Sequence, residues 1–211
     1  EQPNAIKATF CPRIIDEKIN IPQLNISKEE LEGIKKICII GCGSAYHVGC
    51  IAKYIFEKTL KIQTDVEIAS EFRYKDPLID ENVMVIAISQ SGETADTLAA
   101  VKEAKSKGAK VLAIVNVVGS SIANEADIVV PTFAGPEIAV ATTKAYSTQL
   151  IAQYLLAMKF AKVRGTVSQN DFDAMIQSLE RLPEQSSLLL SHKENVQRFA
   201  NRYLAAEHVF F

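Results

Sequence analysis

Short apolar runs alternate with longer amphipathic stretches through the middle of the chain. Each run is continuous rather than alternating, which is typical of strands buried on both faces. The runs predict five strands, at residues 36–40, 64–68, 83–88, 111–115 and 126–130. The stretches between them predict helices at about 46–60 and 94–107, the second ending at Gly108 as a glycine cap. Because strands and helices alternate, we predict an α/β fold with a doubly wound parallel sheet between two helical layers.

The regions that flank this alternating segment have a different pattern. Residues 1–30 contain three prolines and several isoleucines placed to pack against another surface, which predicts an N-terminal arm that can include a short helix. After Pro136 the pattern is helical and predicts helices at 144–163, 171–182 and 193–206. We therefore divide the chain into the arm at 1–30, a sheet domain at 31–165 and a helical linker at 166–211.

Both ends of the chain indicate a segment of a longer protein. The chain begins with Glu1 rather than methionine, and it stops within the apolar run 209–211. Such a run is typical of a strand that has only begun. We therefore expect further domains in the complete protein.

Composition and charge exclude two classes of partner. The 211 residues carry a net charge of −2 with both signs interspersed, so no basic surface for nucleic acid is expected. No apolar run approaches the ~20 residues that a membrane span requires, and residues 1–4 lack the features of a signal peptide. We expect a cytoplasmic protein that contacts neither nucleic acid nor membrane.

The four cysteines agree with that location. Cys11, Cys38, Cys42 and Cys50 form no C-x-x-C pair, and Cys38 and Cys42 flank an apolar run as small buried side chains do. The grouping of Cys42, His47 and Cys50 fits no zinc spacing. We therefore predict free thiols, no bound metal and no cofactor.

The most informative segment joins the third predicted strand to the helix after it. Hydroxyl side chains and backbone N–H groups converge there just before a helix start, where the first N–H groups lack internal partners and the helix dipole is positive. A phosphate monoester fits this arrangement, and the loop contains no Lys or Arg. The alternative is ordinary helix capping, to which Glu93 in the first turn would also contribute. The candidate phosphate-binding residues are Ser89, Gln90, Ser91, Gly92 and Thr94.

Two further loops follow strands and are expected at the same sheet edge. Residues 41–45 lack the dinucleotide-binding fingerprint G-x-G-x-x-G, because Tyr46 stands where the third glycine would be. The sequence also lacks the P-loop motif G-x-x-x-x-G-K-[ST] of nucleoside triphosphatases. The 41–45 loop offers Ser44 and backbone groups to a polar ligand, and a purely structural turn is an equal alternative. Residues 134–144 offer threonine hydroxyls to a ligand. We interpret Glu137 and Lys144 as structural residues rather than acid–base groups. We interpret His47 as a packing or surface residue.

Three segments together resemble one enzyme family closely. They are Ser-Gln-Ser-Gly-Glu-Thr-Ala-Asp-Thr at 89–97, Glu-Ile-Ala-Ser-Glu-Phe-Arg-Tyr at 67–74 and Ala-Thr-Thr-Lys-Ala-Tyr-Ser-Thr-Gln-Leu at 141–150. The chain is similar in these segments, and in its opening residues 1–6, to the isomerase half of the glucosamine-6-phosphate synthases, the glutamine–fructose-6-phosphate aminotransferases. The resemblance implies a sugar isomerase (SIS) domain, a flavodoxin-like three-layer fold with a five-stranded parallel sheet.

The resemblance also implies which residues hold the substrate. Phosphate contacts fall on Ser89, Gln90, Ser91 and Thr94, and sugar contacts fall on Cys42, Gly43, Ser44, Val140 and Thr142. The chain departs from the family at Ala45, where a hydroxyl residue is common, so the hydroxyl that the resemblance implies is missing at this position. Thr142 replaces a common serine and preserves the hydroxyl.

The family's reaction converts fructose 6-phosphate and glutamine to glucosamine 6-phosphate and glutamate. By resemblance, a glutaminase domain, a second SIS domain and a neighbouring subunit of a homodimer supply the ammonia and the acid–base groups. We therefore expect this chain to bind sugar phosphate without catalysing the reaction alone, and we assign no catalytic residue. The alternatives are another SIS-fold phosphosugar isomerase or deglycase, and a sugar-phosphate-sensing regulatory module.

Overall fold

The computed structural model describes residues 1–24, 26–138 and 142–208 and contains the predicted parallel sheet. Within these residues the strands are β1 (Ile14–Ile15), β2 (Lys18–Ile19), β3 (Lys36–Gly41), β4 (Gln63–Ile68), β5 (Val83–Ser89), β6 (Lys110–Val115) and β7 (Ile128–Pro131). The helices are α1 (Gln2–Phe10), α2 (Lys28–Gly33), α3 (Ser44–Leu60), α4 (Ala69–Phe72), α5 (Ala95–Ser106), α6 (Ser121–Glu125), α7 (Lys144–Arg164), α8 (Gln169–Leu190) and α9 (Lys193–Ala200). Short 3-10 turns follow α1 and α9.

The main sheet has five strands in the order β4-β3-β5-β6-β7, and every neighbouring pair is parallel. In the register, Ile39 of β3 lies opposite Val66 on one side and Ile86 on the other. Along the chain these strands follow the flavodoxin-like order 2-1-3-4-5, which reverses direction between β3 and β5. The predicted α/β class and the five-stranded parallel sheet are confirmed.

Side chains alternate between the two faces of each strand and divide the core into two clusters. On one face Ile39 and Ile86 pack with residues of α1, α3, α7 and α8, whereas on the other Ile40 and Val85 pack with α4, α5 and α6. Each fully buried aliphatic side chain contributes about 1.5–3 kcal/mol by leaving water. Burial of both faces confirms the three-layer arrangement and explains why the strand sequences are continuously apolar.

The N-terminal arm packs on the same core. Ile6 and Phe10 of α1 are buried in the cluster with α7 and α8. After α1 the chain forms the two-stranded antiparallel hairpin β1–β2, whose turn residues Asp16 and Glu17 both have positive φ. The short helix was among the expected features, whereas the hairpin was not predicted. The domain boundaries at residues 30 and 165 stay predictions.

Two helix ends differ from the sequence-based expectation. A helix was predicted to end at Leu182 before Pro183, but α8 continues to Leu190. A proline inside a helix removes an N–H donor and crowds the carbonyl four residues earlier, yet α8 continues through Pro183, and Ser187 Oγ donates to Pro183 O (2.9 Å) in the turn that follows. The last helix was predicted to reach residue 206, but α9 ends at Ala200. The strand expected at 209–211 lies outside the described residues.

The cysteine side chains occupy contrasting environments, and all four are free thiols. Cys38 is buried in the sheet, and burial raises the pKa of its thiol to about 12. Cys11 is exposed and Cys42 is half-buried. No helix in the part of the chain that the structure describes is long and apolar enough to cross a bilayer.

We expect iodoacetamide at pH 8 to modify Cys11 rapidly and Cys38 only after unfolding. The thiolate is the reactive species, and a group with a raised pKa forms little thiolate until the pH approaches that value. Peptide mass spectrometry with and without denaturant measures both rates. Rapid labelling of Cys38 in the native protein would contradict its burial.

Candidate functional site

The loops that follow β3, β5, β6 and β7 lie at one edge of the sheet, because all of these strands are parallel. The sheet order reverses between β3 and β5, which is where ligands of such folds bind. A contact joins the elements on either side of this point: Thr97 Oγ1 of α5 donates to Cys42 Sγ at 3.8 Å. The structure therefore brings the 42–45 loop next to the Ser89–Thr94 segment, which we call the phosphate loop after the ligand that the sequence predicts for it.

The phosphate loop is folded around the Ser89 hydroxyl. Ser89 Oγ accepts a hydrogen bond from the Gly92 N–H (3.0 Å) and lies 3.1 Å from Thr94 Oγ1, with which it shares a second hydrogen bond. Ser91 Oγ accepts from the Glu93 N–H (3.2 Å). Gly92 has φ +69°, a left-handed conformation that glycine adopts without strain.

The start of α5 has unused hydrogen-bonding capacity. Thr94 is the N-cap residue, but its side chain makes no capping hydrogen bond to the helix. Its hydroxyl is instead directed to Ser89. The first-turn N–H groups therefore have no side-chain partner within the described chain, and the positive end of the helix dipole adds to their attraction for an anion. This geometry differs from the ordinary capping that the sequence left open.

Helix α6 supports the phosphate loop from behind. The Ile122 N–H donates to Gly92 O (3.0 Å), and the Ser121 N–H donates to Glu93 Oε1 (2.8 Å). Hydrogen bonding from the Ser121 hydroxyl, and then from its backbone, lowers the pKa of Glu93. The neighbouring Ser120 is buried, and its hydroxyl has no partner among the described residues. The ionised Glu93 carboxylate thus links the phosphate loop to the start of α6.

Asn116, which follows β6, belongs to the candidate site and was not predicted from the sequence. Its backbone N–H donates to Gln90 O of the phosphate loop (3.1 Å). Its side-chain Oδ1 accepts from the Ala134 N–H (2.8 Å) and lies 3.0 Å from Thr132 Oγ1, while Nδ2 donates to Gly135 O (2.8 Å). The sequence feature that could have indicated Asn116 is a polar residue directly after an apolar strand. Asn116 connects the phosphate loop to the loop after β7.

The loop after β7, residues 132–143, is called the third loop here. Glu137 accepts a hydrogen bond from the Ala145 N–H (3.0 Å) and thereby caps α7, while Lys144 pairs with Glu1 of the arm. Glu137 and Lys144 therefore have structural partners and do not pair with each other. Thr142 is half-buried just before α7. Val140, a predicted sugar-contacting residue, lies outside the described residues.

The 42–45 loop turns sharply into α3. Gly43 has φ +55° and is the N-cap residue, and exposed Ser44 is the first residue of the helix, two positions earlier than predicted. His47 is exposed, with its ring edge-on to that of Tyr46 at 5.4 Å between centroids.

Across the ranges 1–24, 26–138 and 142–208, no three His, Cys, Asp or Glu side chains are grouped so that they could hold a metal ion.

Comparisons with known proteins agree with this architecture. A family model described as SIS domain matches residues 30–159. A glutamine–fructose-6-phosphate aminotransferase [isomerizing] from Caldanaerobacter subterraneus subsp. tengcongensis is 53% identical over 212 residues, covering 100% of this chain and 35% of that protein. The Clostridium acetobutylicum protein of the same name is 51% identical, covering 97% of this chain and 34% of the relative. This chain thus spans about a third of these relatives' length.

One solved structure is especially similar. It is the C-terminal domain of glucosamine-fructose-6-phosphate aminotransferase from Francisella tularensis, with a TM-score of 0.90 and 35% sequence identity. The alignment covers 96% of this chain and 57% of that one. The similarity therefore includes the arm and the late helices as well as the sheet.

Proposed function

This chain belongs to the SIS domain family, and from that premise we propose that it binds fructose 6-phosphate at the carboxyl edge of its sheet. In the complete protein it would serve as the substrate-holding part of a glutamine–fructose-6-phosphate aminotransferase. One observation carries the proposal. The Ser89 and Thr94 hydroxyls meet beside a helix start whose N–H groups have no side-chain cap.

The phosphate group fits the polar groups of this loop. Several N–H and hydroxyl donors can surround phosphate oxygens, and the helix dipole supplies roughly half a positive charge. The loop from Ser89 to Thr94 contains no Lys or Arg. Binding by dipoles and hydroxyls suits a metabolite that must be released after each turnover.

The sugar hydroxyls would lie between the two neighbouring loops. The 42–45 loop contributes Cys42, Gly43 and Ser44, and the third loop contributes Val140 and Thr142. Hydroxyl and backbone groups recognise a sugar because they donate and accept hydrogen bonds in fixed directions. Cys42 is already tied to α5 through Thr97, which keeps the sugar side of the proposed site next to the phosphate side.

The chemical steps would depend on groups outside this chain. Ring opening and proton transfer between carbons need positioned acid–base side chains. The nearby carboxylates, Glu93 and Glu137, accept hydrogen bonds from backbone N–H groups and are thereby held in structural roles. We propose that a second SIS domain supplies the acid–base groups, that a glutaminase domain supplies ammonia, and that the enzyme is a cytoplasmic homodimer.

We expect fructose 6-phosphate and glucose 6-phosphate to raise the melting temperature of the protein, and unphosphorylated fructose to leave it unchanged. A ligand at a hundredfold excess over its Kd stabilises the folded state by about 2.7 kcal/mol. Combining Ser89→Ala with Thr94→Ala should weaken phosphosugar binding by about 100- to 10,000-fold, because two hydrogen bonds to a charged group contribute about 1.5–3 kcal/mol each and every 1.4 kcal/mol is a factor of about ten in affinity. Calorimetric titration measures both affinities.

Ser106→Ala is the matched control, because that hydroxyl lies at the far end of α5 and, among the described residues, bonds only to the Glu103 carbonyl. It should leave the affinity unchanged. Unaltered phosphosugar binding by the Ser89→Ala, Thr94→Ala variant, with its fold verified by circular dichroism, would refute the proposed site. Equal stabilisation by fructose would refute the role assigned to phosphate.

A further inference from the structure

We propose that the N-terminal arm positions the third loop for sugar binding, with Arg13 as the principal positioning residue. This inference rests on the proposed function and assigns a task to a segment outside the sheet. The arm contacts the chain at the start of the third loop and just beyond its end. Thr9 of α1 and Arg13 of the 3-10 turn after it hold the backbone where β7 finishes, and Glu1 and Gln2 hold the first turns of α7.

The first end of the loop is held by a buried guanidinium. Arg13 is 2% exposed, and its Nη1 donates to Thr9 O (2.7 Å) while its Nη2 donates to Pro131 O. Thr9 Oγ1 donates to Thr132 O. Within the described ranges Arg13 forms no ion pair with a carboxylate, and burial lowers its pKa to about 10, so it stays charged at neutral pH. A buried charge is tolerated when its hydrogen bonds are made, so these carbonyls are strongly held.

The same guanidinium covers an unusual backbone conformation. The Arg13 Cζ atom lies 4.9 Å from the centroid of the Phe133 ring, a cation–π contact. Phe133 has φ +54°, which is rare for a bulky residue. The chain therefore leaves β7 through a turn that its own residues disfavour. The contacts from Arg13 hold this turn in place.

The second end of the loop is held by the first two residues. Glu1 forms an ion pair with Lys144, whose side chain is largely buried, and Gln2 Nε2 donates to Ser147 Oγ. Both partners belong to the first turns of α7, which begins two residues after Thr142. The arm thus bonds to the residues before and after the segment that carries the proposed sugar contact.

No hydrogen bond or ion pair of the described residues joins residues 1–13 directly to the phosphate loop. Loss of an arm contact should therefore weaken recognition of the sugar more than recognition of the phosphate. A change that merely destabilised the protein would not alter the ratio of these two affinities.

The test compares fructose 6-phosphate with inorganic phosphate by calorimetric titration of the whole chain. Arg13→Met should weaken fructose 6-phosphate binding by about tenfold and leave phosphate binding within about twofold of its original value. Arg13→Lys should recover part of the loss, since an ammonium can still donate to one carbonyl. Glu1→Gln removes an exposed charge at the other end, keeps the fold, and should produce the same selectivity with a smaller loss.

Arg164→Met is the matched control. Arg164 Nη1 also donates to a backbone carbonyl, that of Leu31 (2.7 Å), but it lies at the far end of α7. This variant should lower stability without changing the ratio of affinities. Thr142→Val combined with Arg13→Met should lose less than the two single losses multiplied, because both act on the same sugar contact.

Equal weakening of both ligands in Arg13→Met, or a full multiplicative loss in the double variant, would overturn the inference. If the wild-type protein binds phosphate but gains nothing from the sugar, the proposed function fails, and amide exchange then tests the arm by itself. Arg13→Met should accelerate exchange at Ala134 and leave the Gly92 amide unchanged. Unchanged exchange at Ala134 would show that the arm does not hold the loop.

Discussion

Gly92→Ala is expected to abolish measurable fructose 6-phosphate binding and to lower the free energy of unfolding by about 2–5 kcal/mol. A β-carbon at this position would lie 1.9 Å from Ser120 Oγ and 2.5 Å from Ser120 Cβ. The φ of +69° adds backbone strain for any residue with a β-carbon. The phosphate loop must therefore move away from α6. Denaturant unfolding and calorimetric titration measure the two losses.

Two further variants separate steric contact from backbone strain. Gly165 has φ +71°, and a β-carbon added there would meet no atom within 4 Å, so Gly165→Ala should cost only about 1–2 kcal/mol and leave binding unchanged. Adding Ser120→Gly to Gly92→Ala removes the obstructing side chain and should recover much of the lost stability. If Gly92→Ala proved as mild as Gly165→Ala, the close packing of the phosphate loop on α6 would be wrong.

Asn116→Ala is expected to lower the free energy of unfolding by about 2–4 kcal/mol, since three side-chain hydrogen bonds are lost and the Ala134 N–H loses its acceptor. Fructose 6-phosphate binding should weaken by at least about tenfold, because the third loop is no longer tied to β6. Chemical denaturation and ligand titration measure these effects.

Asn116→Asp provides a graded comparison. The carboxylate keeps the acceptor for the Ala134 N–H, but its second oxygen replaces the amide donor and repels Gly135 O, so the Ala134 contact should survive while the Gly135 contact is lost. Asn124→Ala is the control, because its side chain makes one long hydrogen bond, 3.4 Å to Gly119 O, on the exposed side of α6. A loss in Asn124→Ala equal to that in Asn116→Ala would contradict the role given to Asn116.

The sheet could be predicted from the sequence because its signal is local. The run at 36–40 lies within β3, and the run at 83–88 lies within β5. Burial on both faces makes every position of such a strand apolar. The β1–β2 hairpin left no comparable signal, because it has only two residues per strand and a turn of Asp16 and Glu17 rather than the usual Asn-Gly. The end of α8 was predicted wrongly, because an interior proline usually kinks or ends a helix whereas α8 continues past Pro183 to Leu190.

The candidate site was predictable only where its residues are consecutive. The meeting of Ser89 and Thr94 follows from a strand that enters a helix within six residues. The roles of Asn116 and Arg13 depend on partners that are remote in sequence; Arg13 and Pro131 are 118 positions apart. No local pattern carries such pairings, since they are fixed by the packing of α1 beside α7. Contact between these residues and a sugar phosphate is the prediction that the titrations test.

The attachment of the arm has a consequence for synthesis on the ribosome. Arg13 and Glu1 are translated 118 and 143 residues before Pro131 and Lys144, respectively. At roughly 5–20 residues per second, the nascent arm waits on the order of ten seconds before its partners emerge. Throughout that interval the apolar side chains of Ile6 and Phe10 lack the α7 and α8 side chains that help to bury them in the finished domain. The arm therefore cannot reach its final packing until α7 and α8 have been translated.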